Sequence, residues 1–474
     1  MTECNQQDLI FHGLGRRDVV ARFDGGAITS DAGGVLLREL EERTGILQRF
    51  SACFTDHRDA DLIEHTVLDL VKQRTFGLTL GYEDLNDHDD LRHDPLWAVL
   101  VGKTDPTGAD RLRRRDRGKA LAGKSTLNRL ELTPPGADAG SRYKKIVADC
   151  GAIERFFVDV FLDSYDVPPS ETIILDLDAT DDPLHGHQLG RFFHGYYKSY
   201  CYLPLYIFCG EHLLCAKLRP SNIDAAAGSV EELDRIVRHI RSRWPTVKIL
   251  IRADSGFCRE RIMSWCEANH VDFVLGLAKN DRLKQEITSE LTAAKTEFTQ
   301  TGQPSRVFKD FPYQTLKSWS RSRRVVAKAE HLAKGENPRF VVTSLSADDV
   351  AARTLYEQTY CARGNMENRI KEQQLCLFAD RTSCETMRAN QLRLWFSSVA
   401  YTLLAALRQF GLRGTEMESA QGDTIRLKLL KIGAQVRVTF RKVWMSLAES
   451  YPYRALFLQV YHNLRTIKPI PLLC

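Results

Sequence analysis

The sequence predicts an α/β protein of several domains, and three of its features support that prediction. From residue 171 onward, apolar runs rich in β-branched residues alternate with segments of helical periodicity. Residues 1–145 show mainly helical periodicity. The chain has 474 residues, more than a single hydrophobic core usually serves. We therefore expect a mixed sheet flanked by helices, preceded by a mostly helical N-terminal region.

The segment 171–280 contains the clearest succession of elements. Its first strand is predicted at 172–178 and its fourth at 247–253, both in apolar runs that end in acidic residues. The remaining predicted elements are strands near 200–208, 212–218 and 271–277 and helices at 228–243 and 258–269. The order of three strands, a helix, a strand, a helix and a strand indicates a mixed five-stranded sheet.

Three further segments follow this succession. Residues 281–345 carry β-type runs and are expected to form a β-rich insertion between two parts of the core. Residues 346–415 form the second part, with one helix over 348–375 and a long helix over 384–411 that packs behind the sheet. Residues 416–474 are read as a C-terminal region with a short strand and helices.

Composition argues against several classes of protein. Twelve cysteines are scattered without a Cys-x-x-Cys pair, which argues against a zinc ribbon or a redox motif and for reduced thiols in the cytosol. The N-terminus lacks the basic and apolar regions of a secretion signal. The most apolar helix, 394–407, is shorter than the ~20 residues that span a bilayer. We therefore expect a cytoplasmic protein without a membrane partner.

Charge is unevenly distributed along the chain. The net charge is +5, but residues 1–100 hold 10 Lys and Arg against 19 Asp and Glu, a net of −9, which leaves +14 for the remainder. Residues 301–340 hold nine basic and three acidic side chains, with Tyr313 and Trp319 among them. A basic segment of this kind indicates a polyanionic partner.

Three widely separated carboxylates lie in settings that suit one divalent-metal site. Asp178 and Asp254 each end a run that reads as a buried strand, and Glu367 lies on a predicted helix. Four residues of that helix recur at i, i+3, i+7 and i+11 and share one stripe: Tyr360, Arg363, Glu367 and Lys371. Carboxylate oxygens are ligands that Mg²⁺ and Mn²⁺ prefer, and paired ions of this kind serve in-line phosphoryl transfer.

Each of these acids has a competing interpretation. Asp176 shares a strand face with Asp178, so either side chain can reach a metal. Asp254 precedes Ser-Gly and can simply cap the next helix. Glu367 can belong to an exposed, ion-paired helix face. Arg252 shares the face of Asp254 and can hold that carboxylate ionised or touch a phosphate.

The motifs around these acids resemble those of the DDE transposases of bacterial insertion sequences. The matching residues are Asp178-Ala-Thr180, the block from Arg252 to Phe257, and the spacing of Tyr360, Arg363 and Glu367. The resemblance covers roughly residues 20 to 415 and implies an RNase H-like core with a β-rich insertion before the glutamate. In that core the first and fourth strands are neighbours. The family commonly has Lys seven residues after the glutamate, where this chain has Gln374, and Lys371 is the candidate for that role.

The resemblance implies a metal-dependent polynucleotidyl transferase that cuts DNA and transfers strands at insertion-sequence ends. Asp178, Asp254 and Glu367 would be its catalytic and metal-binding residues, with Mg²⁺ as the cofactor and Mn²⁺ able to substitute. Its partner would be DNA, as terminal inverted repeats and target, held by a dimer on paired ends. Residues 1–145 would bind DNA, and residues 281–345 would contact its backbone rather than complete the hydrophobic core. The side chains expected to contact DNA are Tyr360, Arg363, Lys371, Arg321, Arg323 and Arg324.

Alternative functions and sites remain open at this point. An RNase H-like nuclease without strand transfer uses the same acids, and a catalytically inactive DNA-binding relative keeps the fold alone. The stretch from Gly118 to Ser125 fits a phosphate loop, but the arginine-rich residues 111–117 before it are no central strand. We favour a basic DNA-facing loop before a helix capped at Ser125. Three histidines near the first predicted strand make a zinc site conceivable: His185, His187 and His194. A histidine pair at this spacing, without Cys or a third clustered ligand, is more often structural or hydrogen-bonded.

Overall fold

The structure, a computed structural model, describes residues 8–467 and divides into two compact units. Unit 1 consists of the described residues up to Asp149, of Cys376–Phe378 and of the described residues from Val399 onward. Unit 2 consists of Cys150–Leu375 and Ala379–Ser398. Among residues 8–467, no helix is both long and apolar enough to cross a membrane.

Strands and helices are both abundant in the described part of the chain. The strands are β1 Leu9–Leu14, β2 Arg17–Ala21, β3 Ile28–Thr29, β4 Phe54–Asp56, β5 Ile146–Ala148, β6 Ile173–Ala179, β7 Asp182–Pro183, β8 Phe192–His194, β9 Ser199–Tyr202, β10 Leu205–Cys209, β11 His212–Lys217, β12 Ile249–Ala253, β13 Asp272–Leu277, β14 Ser305–Tyr313, β15 Arg323–Leu332, β16 Gly335–Glu336, β17 Arg339–Thr343, β18 Ala434–Val438 and β19 Val443–Leu447. The α-helices are α1 Val35–Thr44, α2 Ile46–Ser51, α3 Val67–Leu80, α4 His88–Leu91, α5 Pro95–Val101, α6 Lys124–Leu132, α7 Cys150–Asp163, α8 Ser229–Arg243, α9 Glu260–Ala268, α10 Asp281–Glu286, α11 Thr288–Thr301, α12 Ala352–Thr354, α13 Gly364–Lys371, α14 Met387–Ala406, α15 Gly422–Ile425 and α16 Arg454–Thr466. The fold is therefore of mixed α/β type, as expected.

Unit 1 combines helices with small sheets. Its helix α3 begins with a capping box, in which Thr66 and Asp69 each accept the backbone N–H of the other. β18 pairs with β19 and with β3, so the C-terminal strands share a sheet with a strand near the N-terminus. β1 and β2 form an exposed antiparallel hairpin.

Unit 2 is built on a nine-stranded sheet in the order β11, β10, β6, β12, β13, β17, β15, β14, with β16 beside β15. β6, β12 and β13 are parallel, and the remaining neighbours are antiparallel. The first and fourth predicted strands, β6 and β12, are neighbours, as expected. The five-stranded sheet is not confirmed, because β17 pairs with β13 and thereby extends the sheet with the strands of residues 281–345.

Side chains alternate across this sheet, as the pleat of each strand requires. One face carries the larger core, which contains Ile173, Leu175 and Leu177 of β6. Helix α8 buries four residues at helical spacing in the same core: Leu233, Ile236, Val237 and Ile240. The other face carries a smaller core, in which Leu250 and Val274 meet Leu355 and Tyr356.

Residues 281–345 are part of the larger core. The expectation that this segment stays outside the hydrophobic core is wrong. Its strands lie in the sheet, and α10 and α11 precede them in the same segment. Its buried members of the larger core include Leu283, Ile287, Phe311, Val325, Phe340 and Val342.

The helix predicted over 348–375 is helical but not uniform. It begins as α12, widens into a π-helical stretch at Leu355–Tyr360, tightens to a 3₁₀ turn at Cys361–Arg363 and continues as α13. A second π-helical stretch, Glu372–Cys376, follows. π-Helical turns are rare and are common at functional sites. The long helix expected over 384–411 is present as α14.

Candidate active site

Asp178 and Asp254 lie at the carboxyl ends of neighbouring parallel strands. In the register of β6 and β12, Ala253 lies opposite Leu177, so Asp178 is the next residue of β6 and Asp254 is the first residue after β12. By the alternation of side chains, both belong to the face opposite the larger core. The fold therefore brings these two acids side by side, although 76 positions separate them in the chain (254 minus 178).

The neighbouring acid, Asp176, is already paired with Arg252. Its carboxylate accepts two hydrogen bonds from Arg252, at 2.5 Å from Nε and 2.8 Å from Nη2, and both side chains are almost fully buried. The third nitrogen, Nη1, donates to the carbonyl oxygen of Thr359 at 2.6 Å. Arg252 thus ties the sheet to the helical segment that carries Tyr360. The pairing favours Asp178 over Asp176 as the acid of the site and gives Arg252 a positioning role.

One guanidinium joins Asp178 to Glu367. Arg363 Nη2 donates to Glu367 Oε1 at 2.7 Å, and Arg363 Nη1 donates to Asp178 Oδ2 at 3.4 Å. The Arg363 side chain is 17% exposed. Two of the three predicted acids therefore lie within reach of a single cation that belongs to the chain itself.

Burial makes Asp178 a weaker acid than an ordinary aspartate. Desolvation raises its pKa to about 6, Arg363 opposes that rise, and the negative charges of Asp254 and Glu367 add to it. The charges of Asp254 and Glu367 therefore both act on the Asp178 carboxyl. Such a cluster of like charges is stabilised by an added cation.

Asp254 also forms a local turn, as its competing interpretation expects. Its Oδ1 accepts the backbone N–H of Gly256 at 2.8 Å, which begins a 3₁₀ turn at Ser255–Phe257. Tyr360 reaches this turn across Gly276 of β13. A Cβ atom at Gly276 would lie 2.6 Å from the Tyr360 hydroxyl oxygen and 2.8 Å from the backbone nitrogen of Ser255. The role of Gly276 was not predicted, although a glycine inside an apolar strand often marks close approach of another group.

The remaining residues of the helical stripe differ in exposure. The Glu367 side chain is 45% exposed, and Lys371 is exposed. Glu367 pairs with Arg363, one turn before it, and no ion pair of Lys371 is found in the described part of the chain. Gln374 donates to the carbonyl oxygen of Asp181 at 3.1 Å and to Asp182 Oδ1 at 3.0 Å. Gln374 therefore holds the acidic turn after β6, and Lys371 remains available to an external anion.

Three arginines that were expected to contact DNA are engaged within the protein. Arg323 is 3% exposed and pairs with Glu260 and Glu267 of α9 at 2.7 Å each. Arg324 pairs with Asp310 and donates to three backbone carbonyls. Arg321 also pairs with Glu267 but is 63% exposed. These contacts favour a structural role for Arg323 and Arg324, and DNA contact stays a prediction that suits Arg321 best.

The two competing local patterns gain no support. A 3₁₀ turn, Arg114–Asp116, precedes Gly118, where a phosphate loop requires a strand. The following helix begins at Lys124 with Gly123 as its cap, so the expected cap at Ser125 is wrong because Ser125 lies inside the first turn. His187 lies beside Arg191, and His194 beside Tyr197.

Metal-binding geometry is not preformed in the described residues. Within 8–467, no three His, Cys, Asp or Glu side chains gather closely enough to hold a metal ion. Arg363 lies between Asp178 and Glu367, where it provides the positive charge that these carboxylates require. Arg363 therefore supplies one positive charge beside two of the three acids of the site.

Comparison with known proteins identifies the family. The family model described as transposase DDE domain, group 1, matches residues 11–469. A solved piggyBac transposase in a synaptic complex with hairpin DNA is similar at a TM-score of 0.37 and 10% identity, over 94% of this chain and 87% of that chain. No curated protein matches the chain. Because the family model spans nearly the whole sequence, the chain belongs to the DDE transposases of group 1.

Proposed function

We propose that this transposase carries out divalent-metal-dependent DNA strand cleavage and strand transfer at the ends of a bacterial insertion sequence. The observation that carries the proposal is the position of Asp178 and Asp254 at the ends of neighbouring parallel strands, together with Arg363, which joins Asp178 to Glu367. The order β11, β10, β6, β12, β13 with β6 beside β12 supports an RNase H-like core within the larger sheet.

The donor set fits a hard divalent cation. All three acids offer oxygen ligands, which Mg²⁺ and Mn²⁺ prefer. Desolvation by burial, with a further contribution from the charges of Asp254 and Glu367, raises the pKa of Asp178 to about 6, so a cation would stabilise its ionised form. Asp178, Asp254 and Glu367 would hold the metal, with Mg²⁺ as the physiological ion. When bound, paired divalent ions activate an attacking oxygen and stabilise a leaving one.

The side chains of the stripe would position DNA for this chemistry. Arg363 and the exposed Lys371 would hold phosphate oxygens beside the acids and balance charge in the transition state. Tyr360, packed against the Asp254 turn, would fix the helical segment and face the DNA backbone. In the first step the oxygen of water bonds to phosphorus and the P–O3′ bond breaks. In the second step the released 3′-hydroxyl attacks a target phosphodiester, whose own P–O3′ bond breaks.

DNA is the partner that this proposal requires, as terminal inverted repeats and as target. We propose that a dimer holds two ends together in the cytoplasm, since a strand-transfer reaction must act on both ends of one element. Analytical ultracentrifugation with and without duplex DNA tests the assembly.

Substitution of the acids tests the proposed reaction. Asp178→Asn, Asp254→Asn and Glu367→Gln should each abolish Mg²⁺-dependent nicking of a duplex that carries the element's own end, while duplex binding in EDTA is retained. Asp281→Asn removes a carboxylate that is 94% exposed outside the site and should leave nicking unchanged. If one of these three variants nicks DNA normally, the substituted residue is not part of the catalytic site.

A pre-nicked substrate separates strand transfer from plain hydrolysis. A labelled end with a free 3′-hydroxyl should be joined to a target plasmid by the wild-type protein and by Asp281→Asn, but not by the three site variants. Nicking without joining would indicate a nuclease of the same fold. Binding without either reaction would indicate an inactive DNA-binding relative.

A further inference from the structure

Unit 1 contains a basic cleft of about 410 Å³, and the residues that line it all fall between positions 58 and 129 of the chain. Seven of the 17 residues that line it are cationic, and two, Glu64 and Asp116, are acidic. The first turn of helix α6 lines it through Ser125 and Thr126. In that turn the Lys124 N–H donates to Asp89 and the Thr126 N–H donates to the Gly123 carbonyl, whereas no acceptor is found among the described residues for the Ser125 N–H. A helix N-terminus attracts anions because its N–H groups and dipole present positive charge.

Two buried hydrogen-bond donors that line this cleft have no acceptor. His65 is 5% exposed, and Arg111 Nη1 donates to its Nε2 at 2.7 Å. Burial and the neighbouring cations lower the pKa of His65 to about 3, so the ring is neutral and carries its proton on Nδ1. That Nδ1 and the Nε of Arg111, whose side chain is 10% exposed, have no hydrogen-bond partner. Buried donors without acceptors are costly, so both indicate a missing ligand that accepts hydrogen bonds.

Only some cations of the cleft are paired with a carboxylate. Arg58 pairs with Asp56, and Arg111 pairs with Glu64 at 2.6 Å. Among the described residues, no ion pair is found for Arg113, Lys119 or Arg129. The half-buried Arg129 lies near Arg58 and Arg113, and desolvation together with their charges lowers its pKa. Uncompensated guanidinium groups in a confined space favour a phosphate, which accepts paired hydrogen bonds from arginine.

We propose that this cleft binds a backbone phosphate of DNA, as a contact separate from the catalytic acids. The anionic chemistry of the ligand follows from the cleft, while its identity as DNA rests on the proposed function. A nucleotide is the other source of such a phosphate. Against it, Lys124 of the phosphate-loop pattern lies against Asn86 and Asp89 and does not line the cleft.

The test compares two pairs of substitutions in the full chain. Arg113→Gln with Arg129→Gln removes two unpaired cations of the cleft, and Arg437→Gln with Arg454→Gln removes two exposed arginines of unit 1 outside it. Fluorescence anisotropy measures the binding of a labelled duplex in EDTA at several salt concentrations. The cleft pair should lower affinity roughly tenfold and reduce the salt slope by about two, whereas the control pair should do neither.

A second measurement requires no substitution. In the wild-type protein, duplex DNA should slow hydrogen exchange at the backbone amide of Ser125, and ATP should not. Equal losses in the two variant pairs, unchanged exchange at this amide, or protection by ATP alone would overturn the proposal. Binding that depends on the cleft in a protein without metal-dependent nicking would overturn only the proposed function.

Discussion

At the scale of the residue, Asp178 combines a buried carboxyl with two acidic neighbours, and its protonation controls the charge of the site. Its pKa is raised from 3.8 to about 6, so the folded protein binds this proton more tightly than the unfolded chain does. Between about pH 6 and pH 4, protonation of Asp178 therefore favours the metal-free fold. Above pH 6 the ionised carboxylate costs folding free energy, which a bound cation offsets.

This shift predicts the pH dependence of metal binding. Mn²⁺ affinity should fall as the pH drops below about 6, with release of close to one proton per site at pH 5 and none from Asp178 at pH 8. Isothermal titration in buffers of different ionisation enthalpy measures that proton. Asp178→Asn should abolish the difference between the two pH values. Equal proton release in wild type and variant would assign the proton to another group.

Lys371 and Gln374 are predicted to have different roles. The exposed Lys371 has no internal partner in the described residues, so Lys371→Ala should reduce nicking more than duplex binding. Gln374 donates to Asp182, which is fully buried and whose pKa rises to about 8. Gln374→Ala should therefore lower the melting temperature by leaving a buried acid without its donor. Nicking, duplex binding and melting temperature are measured on both variants. If Lys371→Ala nicks normally while a stable Gln374→Ala does not nick, the residue that holds the DNA phosphate is Gln374 and not Lys371.

The sequence alone does not determine whether Asp176 or Asp178 belongs to the site. Alternation along the strand predicts correctly that Asp176 and Asp178 share a face. Which of them is free depends on Arg252, whose place opposite Asp176 is set by strand register across the fold. The contact of Tyr360 with Gly276 is likewise non-local, so spacing alone does not reveal it.

At the scale of the element, the buried pair of Arg252 and Asp176 attaches the helical segment to the sheet. Arg252→Ala should lower the free energy of unfolding by roughly 3–5 kcal/mol, because it leaves a buried carboxylate without its partner. The double variant Arg252→Met, Asp176→Leu should cost less, since it removes both charges together. Chemical denaturation measures both. Nicking should stay impaired in the double variant, because the hydrogen bond to the Thr359 carbonyl is also lost.

A second prediction at this scale separates Arg321 from Arg323. The buried Arg323 connects β15 to α9 through ion pairs with two partly exposed glutamates, so Arg323→Ala should lower the free energy of unfolding by roughly 2–3 kcal/mol. The exposed Arg321 should contribute little to stability, and Arg321→Ala should instead weaken binding to all duplexes and reduce the salt slope by about one. Denaturation and salt-dependent anisotropy are measured on each variant. A stable Arg323→Ala with a reduced salt slope would make that residue a DNA contact.

Elements with strong periodicity are predictable, and changes of helix type are not. The strand predicted at 247–253 is β12, Ile249–Ala253, and the helix predicted at 228–243 is α8, because alternation and amphipathic spacing are local signals. The π-helical stretches at 355–360 and 372–376 leave no comparable signal, since a shifted hydrogen-bond partner changes no residue type. Gln374, which donates to Asp182, lies in the second of these stretches.

At the scale of the whole molecule, strands from residues 281–345 complete a sheet that the local pattern predicts to end at β13. The β-type character of these residues is visible in the sequence, but the pairing of β17 with β13 joins residues about 70 positions apart. Such pairing depends on tertiary context, because an exposed edge strand can be covered in several ways. The segment therefore resembles an insertion in sequence and forms part of the core in the fold.

This architecture predicts that the segment cannot be removed. Replacing residues 305–343 with a short linker would expose the edge of β13 and remove core residues such as Phe311, Val325 and Phe340. The variant should lose cooperative unfolding and bind a hydrophobic dye, which calorimetry and fluorescence measure. Removal of the chain up to Ala21, whose described strands β1 and β2 are exposed, should leave the melting of unit 2 unchanged. A 305–343 deletion that melts cooperatively and retains nicking would show that the sheet up to β13 is a self-sufficient catalytic core.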